Sequence, residues 1–295
     1  MVEADDRATE VFVRHRELLF SVVYSQLGSI ADTEDVLQET WIAWSGVDQA
    51  HVVNARAYLV RVAVNQAVTR RRRINRNREV YVGPWLPEPV VEGDEPEDGA
   101  ERVERGEEVS IALMVVLETL SPLERVVFVL HEIFAYNLVE IAEILDKKPT
   151  AVRQLAHRAR SHVQARRGRF LPDPRARREA TERFLDAALG GDVGKLMDVL
   201  APEVTLWSDG GGVVPAARRL VHGRDKVARL IAAVAEKHPQ GLRVDYRSVN
   251  GDPAALLFVG EDSYAVVHVE LDAASGQVAA VHVLTNPEKL TRVAG

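Results

Sequence analysis

Cysteine is missing from all 295 residues. That absence excludes disulfides, thiolate metal sites, Cys nucleophiles and thiol redox sensing together. No run approaches the roughly 20 apolar residues that span a bilayer. The acidic start, Met1-Val2-Glu3-Ala4-Asp5-Asp6, has no apolar core of the kind a secretory signal needs. A cytoplasmic location without a membrane partner is therefore expected. The glycine triplet in Asp209-Gly210-Gly211-Gly212 lacks both the Lys-Ser/Thr and the G-x-G-x-x-G patterns of phosphate loops. No cofactor, no metal and no catalytic residue are expected.

What is present is ordinary in amount and unusual in placement. A hydrophobic fraction of 46% and a charged fraction of 27% suit a soluble globular chain, and the length suits two or three domains. The net charge of −7 is segregated. From Arg61 to Arg78 seven arginines and no acid give +7, and from Asp146 to Arg178 nine arginines and two lysines against two aspartates give +9, leaving −23 for the rest. Two basic islands in an acidic chain suggest two phosphate-contacting surfaces.

Periodicity places these islands. Phe12, Leu18, Leu19, Val22, Val23 and Leu27 recur at helical spacing up to Gly28, a second helix runs from a capping Asp32 through Trp44, and a third spans about Ala55 to Arg72. Pro84, Pro87, Pro89 and Pro96, with ten acids from Glu88 to Glu108, mark a linker that should bury little. Helices resume near Val109, again at Ser121-Pro122 with Val126 to Leu130, then over Leu138–Leu145 and Pro149 to about Arg166. Beyond Pro172 and Pro174, three amphipathic helices (177–189, 192–200, 226–235) and strands over 242–249, 254–259, 263–271 and 278–284 predict an α+β domain with an antiparallel sheet. The expected boundaries are 1–79, 80–108, 109–171 and 172–295.

The sharpest local signal is Leu138–Arg160, two helices around a three-residue turn. Ile141, Ala142 and Leu145 can pack on Val152, Leu155 and Ala159, as a helix-turn-helix requires. The second helix then turns Thr150, Arg153, Gln154 and His157 outward. Arg and Gln can read guanine and adenine edges, while Arg158, Arg160, Arg166 and Arg167 suit phosphates. A solvated basic αα-hairpin is the plainer reading, but +9 of local charge has no acids nearby to neutralise it.

Taken with Asp32–Trp44 and the Arg61–Arg78 island, these motifs resemble the extracytoplasmic-function σ factors, and specifically a subgroup with a carboxyl-terminal SnoaL-like domain. The resemblance implies that Asp32, Glu34, Asp35, Gln38, Glu39, Trp41 and Trp44 dock on the β′ clamp helices of core RNA polymerase. It implies that Tyr58–Asn65, chiefly Arg61 and Asn65, with Arg70, Arg71, Arg72 and Arg73, open and read the minus-10 element of promoter DNA. Leu120–Arg160 is similar to region 4, which reads the minus-35 element and meets the β flap. Three further matches are Trp85-Leu86-Pro87-Glu88-Pro89, Asp209-Gly210-Gly211-Gly212 and Asn286-Pro287-Glu288-Lys289-Leu290. They imply a regulatory grip on the linker in place of a separate anti-σ protein. The sequence departs from the pattern at Asp146, where Gly is common, at Lys148, where a Ser or Thr cap is common, and at Asn54 and Tyr58, where Pro and Trp are common.

The implied fold is two all-α domains followed by an α+β cone. Asp209, His222, Asp245, Tyr246, His268 and His282 are the polar groups an enzyme or a small-ligand site in the cone would draw on, but no spacing forces two together. Alternation puts Tyr264, Val266 and His268 on one strand face and Val267 and Val269 on the other. Two rival readings follow from the residues. One is a helix-turn-helix regulator that binds duplex DNA without polymerase, and the other is a small-molecule enzyme with a fused DNA-binding regulator.

Overall fold

The computed structural model describes residues 2–48, 51–78, 81–92, 109–165 and 173–293. The acidic run from Asp94 to Glu108 and the arginines Arg166 and Arg167 lie outside the described residues. The chain forms two compact units, one from 2–78, 109 and 113–165, the other from 81–92, 110–112 and 173–293.

In the helical unit, α1 (Val2–Leu27), α2 (Ile30–Ser45) and α3 (Ala55–Arg78) precede α4 (Ile111–Leu117), α5 (Pro122–Phe128), α6 (Leu138–Ile144) and α7 (Pro149–Gln164). Gly28 ends α1 at φ 66°, with its N–H on the Tyr24 carbonyl, the left-handed position glycine occupies without steric cost. Ser29 then caps α2 through the Asp32 N–H, 3.3 Å away. The expected cap, Asp32, instead lies in the first turn, where its charge still suits the positive helix end. Leu19, Val22 and Leu27 of α1 meet Val36, Leu37 and Trp44 of α2 and Leu59, Val60, Ala63 and Ala67 of α3. The same apolar cluster continues through Val126, Val127 and Leu130 into Ile141, Ala142, Val152 and Leu155. Each fully buried aliphatic side chain contributes roughly 1.5–3 kcal/mol, so this shared core joins the two halves of the unit.

Ser121 opens α5 with a capping box closed by Glu124, satisfying two backbone donors reciprocally. The expected helix over Val126–Leu130 widens into a π-turn at Val129–Ile133, and Ala135 follows at φ 54°. Periodicity carries no mark of such a one-turn bulge. Asp146 adopts φ 50° in the turn between α6 and α7, the geometry its short polar side chain tolerates.

The α+β unit opens with α8 (Pro174–Leu189) and α9 (Val193–Val199), then β1 (Leu200–Asp209), β2 (Val221–His222) and α10 (Arg224–Ala235). β3 (Leu242–Val249), β4 (Asp252–Val259), β5 (Asp262–Leu271) and β6 (Val278–Leu284) follow, then α11 (Pro287–Leu290). The strand order is β2-β1-β6-β5-β4-β3. The sheet is mixed where an antiparallel one was expected, because β6 returns alongside β1 in parallel. Phe184, Leu196, Val204, Val227, Leu257, Val267 and Val281 fill the space between helices and sheet. Alternation holds for Val266 and His268 against Val267 and Val269. Tyr264 departs from it, because a register shift pairs Leu257 with Ala265 and Phe258 with Ser263 and leaves Tyr264 against the helix-side core.

Candidate nucleic-acid interface and linker clamp

The α7 helix separates its faces cleanly. Val152, Leu155, Ala156, Ala159 and Val163 are buried, while Thr150, Arg153, Gln154, His157, Arg158 and Arg160 are exposed. α6 supports it and is itself capped by Asn137, whose side chain takes the Val139 and Glu140 N–H groups at 3.0 Å. Lys148 begins α7 without a side-chain cap. Two of the basic groups are already occupied: Arg158 Nε donates to Glu124 at 2.9 Å and Arg160 to Glu132 at 2.5 Å. The row best suited to base edges is the one left outward.

The α3 island is arranged differently. Arg61, Asn65, Arg72 and Arg73 are exposed. Arg70 is held by Asp32 at 2.7 Å, by Asp35 and by Glu39 at 3.7 Å. Arg71 is 3% exposed and donates to Glu118 at 2.5 Å; the same carboxylate accepts from Arg125 at 2.6 Å, and Arg125 Nε reaches the Ser25 carbonyl at 2.7 Å. Arg71, expected to face DNA, is therefore an internal charge in this conformation. Nothing local distinguishes Glu118, since its partners lie 47 residues before it and 7 after it.

Of the α2 residues expected to face a partner, Asp35, Gln38 and Glu39 are exposed and Asp32, Glu34 and Trp41 are half-buried. Glu34 pairs with Arg16 at 2.8 Å, and the Trp41 ring meets Phe12 edge-on at 5.3 Å. Trp44 corrects the expectation. It is 1% exposed, its indole N–H bonds the Ala8 carbonyl at 3.0 Å, and it serves the core rather than a partner face. Ile42, 62% exposed on the same helix, supplies the apolar surface there instead.

In the second unit, Asp209 is fully buried at the end of β1 and collects four donors. They are the Tyr81 hydroxyl at 2.6 Å, the Leu86 N–H at 2.8 Å, the Gly211 N–H at 3.0 Å and the Lys289 ammonium at 2.8 Å. Lys289 also donates to the Leu86 carbonyl at 2.5 Å and lies over the Trp85 and Tyr81 rings at 4.3 and 5.2 Å, a geometry in which a desolvated cation gains from both π faces. Asn286 donates to the Tyr81 hydroxyl at 3.1 Å and caps α11 through Glu288 N–H. Burial and the Asp209 charge push the Tyr81 phenol well above its usual range. Pro287 occupies the first turn of α11 and Leu290 is buried.

The glycines are required by close approach. A Cβ at Gly210 would strike the Val214 carbonyl and one at Gly211, where φ is 64°, would overlap the Asn286 amide; Gly212 sits against Val82. Those contacts leave no room for a side chain at Gly210 or Gly211 and hold the triplet as a docked loop. The expectation that the linker buries little fails for its described part, 81–92, where Leu86, Pro87 and Pro89 are buried, with Glu88 half-buried between them. The strip is fixed at its far end, where Val91 bridges Val249 and Val90 exchanges bonds with Asn250. Tyr81, the hub residue missed by sequence reasoning, lies only four residues before Trp85.

Of the other polar candidates, His268 and His282 meet on neighbouring strands with Nδ1 atoms 3.5 Å apart. His282 stacks against Trp207 at 4.9 Å, and His268 lies 3.3 Å from Asp252, which Arg177 also binds. Burial and the neighbouring His268 hold His282 well below its ordinary value. Burial raises Asp252, but His268 and Arg177 outweigh it and leave the carboxyl low. Both histidines alternate with the residues that fill the interior, so they face away from it. Asp245 pairs with Arg243 and Arg247 on that same outer side. His222 is exposed and bonds Thr205. Only Tyr246 packs on the helix side, beneath Arg178.

Comparison with known proteins gives this geometry a class. Family profiles match at residues 11–77 (Sigma-70 region 2), 110–163 (Sigma-70, region 4) and 181–286 (SnoaL-like domain). Together they define a transcription-initiation protein with a fused α+β domain. The chain is 37% identical over 284 residues to the ECF RNA polymerase sigma factor SigJ of Mycobacterium tuberculosis, covering 94% of this chain and 91% of that one. It is 31% identical over 293 residues to the probable ECF RNA polymerase sigma factor SigI of the same organism, covering 97% and 95%. The crystal structure of the M. tuberculosis SigJ protein superposes with a TM-score of 0.74 at 34% identity, over 96% of this chain and 98% of that one. The chain belongs to the ECF RNA polymerase sigma factors and carries a SnoaL-like domain. That membership assigns it to transcription rather than to an enzyme class. No described helix is long and apolar enough to cross a membrane.

Proposed function

We propose that this protein binds core RNA polymerase and directs it to specific promoters, with its SnoaL-like domain regulating it in cis in place of a separate anti-σ protein. The observation that carries the promoter reading is the outward row Thr150, Arg153, Gln154 and His157 on α7, exposed above a fully apolar buried face. Such a helix can lay base-reading groups in the major groove. The exposed Arg61, Asn65, Arg72 and Arg73 of α3 suit capture of the second promoter element, by phosphate contacts and hydrogen bonds to unpaired bases. Polymerase docking falls to the α2 face with Asp35, Gln38, Glu39 and Ile42, and the β flap is the partner of region 4. No covalent chemistry is asked of the chain.

The regulatory part of the reading is supported by the Asp209 hub. A fully buried carboxylate that bonds both Tyr81 and Leu86 holds the described part of the linker, 81–92, on the SnoaL-like domain. Breaking a buried ion pair from one side costs about 3–5 kcal/mol, so the grip on this part of the linker is strong. Full-length protein mixed with core polymerase should co-elute with it and give run-off transcripts from the DNA upstream of its own coding sequence. Asp209→Asn and Lys289→Gln should keep co-elution and change transcript yield severalfold. Unchanged yield would remove the regulatory reading, and no association with polymerase would remove the σ role.

A further inference from the structure

Two arginines flank the base-reading row of α7. Successive helical positions turn by about 100°, so with Thr150, Gln154 and His157 at the centre, Arg158 stands roughly 80° to one side and Arg160 roughly 80° to the other. Each guanidinium is fastened by a carboxylate of the element packed beneath. Arg158 donates through Nε to Glu124 at 2.9 Å, and Arg160 donates through Nε and one Nη to a single oxygen of Glu132 at 3.1 and 2.5 Å. Among the described residues neither arginine has another acceptor, so most donors of each planar fork remain for a further anion.

The two carboxylates are fixed points. The other oxygen of Glu124 takes the Ser121 N–H at 3.1 Å and the Ser121 hydroxyl at 2.7 Å, and its side chain is 9% exposed, so it cannot follow Arg158 outward. Glu132 lies on the π-turn Val129–Ile133, which is anchored by buried Val129 and Leu130. Val126, Val127 and Leu130 of this run share the apolar core with Val152 and Leu155 of α7. Glu124 and Glu132 stand eight residues apart, roughly 12 Å along a helix and the width of the helix they straddle. The major groove is also about 12 Å wide, so groups on the two sides of an inserted helix meet the phosphates of the two strands. We propose that Glu124 and Glu132 are positioning residues, which hold Arg158 and Arg160 as a pair of struts on opposite strands and thereby set the depth at which α7 reads bases. Guanidiniums held before DNA arrives lose little rotamer freedom on docking.

The inference rests on α7 being the base-reading helix, and its test separates positioning from charge. The full-length chain is titrated with a fluorescent DNA duplex of arbitrary sequence at several salt concentrations, with folded fraction checked by circular dichroism. Arg160→Ala should lower the salt slope by about 0.9. Glu132→Gln should lower it by as much, although it removes a negative charge that repels DNA, and the double variant should lose no more than either single one. Glu124→Gln should act on Arg158 in the same way while keeping the capping box, in which Gln also serves. With core polymerase added, both Gln variants should lose severalfold in preference for the DNA upstream of the chain's own coding sequence over a shuffled duplex. For each glutamate, an unchanged or steeper salt slope overturns positioning, and so do additive losses in the double variant. Equal preference of the unaltered protein with polymerase for the two duplexes would instead remove the σ reading, while the salt slopes still decide the struts.

Discussion

The two basic islands have similar charge and opposite states. On α7 the residues that suit base edges are exposed above a packed apolar face, and only the flanking Arg158 and Arg160 are tied to acids. On α3, Arg70 is surrounded by three carboxylates and Arg71 is buried with a fourth. A run of arginines in sequence therefore does not define one surface. Successive helical positions point about 100° apart, so Arg70, Arg71, Arg72 and Arg73 divide between an acidic neighbour, the interior and solvent.

That contrast can be broken most forcefully at Arg71. Arg71→Ala removes one of the two guanidiniums on Glu118 and should lower unfolding free energy by about 3 kcal/mol, the low end of the buried-pair range because Arg125 remains. Arg153→Ala on α7 should change stability by no more than about 0.5 kcal/mol. Denaturant unfolding of the two variants decides it, and equal losses would mean that the islands are equivalent after all. The second test reverses the ranking: Arg153→Ala or Gln154→Ala should each weaken promoter-specific binding by about 1–3 kcal/mol and relax base preference, read by competition between matched and mismatched promoter duplexes. A uniform loss on all sequences would assign them to phosphates. Third, Arg72→Ala should reduce the salt slope of single-stranded DNA binding by about 0.7, measured by titration at several salt concentrations. An unaltered slope would exclude Arg72 from the phosphate path. The smallest effect is at Lys148, where Lys148→Ser should add about 1 kcal/mol by capping α7, seen as a higher unfolding midpoint without altered base preference.

How much of this could be read in advance follows the range of each interaction. Helix and strand positions followed from periodicity, because spacing such as Leu19/Val22/Val23 or the alternation through Val266–Val269 is a local property. The outward row on α7 was legible for the same reason. Trp44 was assigned to a partner face only through the resemblance; the stripe it shares with Val36 and Leu37 is what a core face would show, and its contacts with Ala8 and Tyr58 place it there. Glu118 with Arg71, Arg177 with Asp252, and Asp209 with Tyr81 join residues 47, 75 and 128 positions apart. No local pattern reports such pairs. The parallel return of β6 beside β1 was hidden too, because strand composition does not reveal the direction of a neighbour. The glycine triplet, Trp85–Pro89 and Asn286–Leu290 were recognised by resemblance, and the close approaches at Gly210 and Gly211 supply the reason those residue types are needed.

The clamp on the linker also has a direction in time. Asn286 and Lys289 lie 205 and 203 residues beyond their partners Tyr81 and Leu86. During synthesis both helical regions and most of the sheet emerge before the residues that close the grip, so the nascent chain passes through a stage in which its linker is untethered. A chain ending between Gly212 and Asn286 would contain the whole helical unit and no finished clamp. The grip on Tyr81 and Leu86 is thus among the last contacts the growing chain can complete.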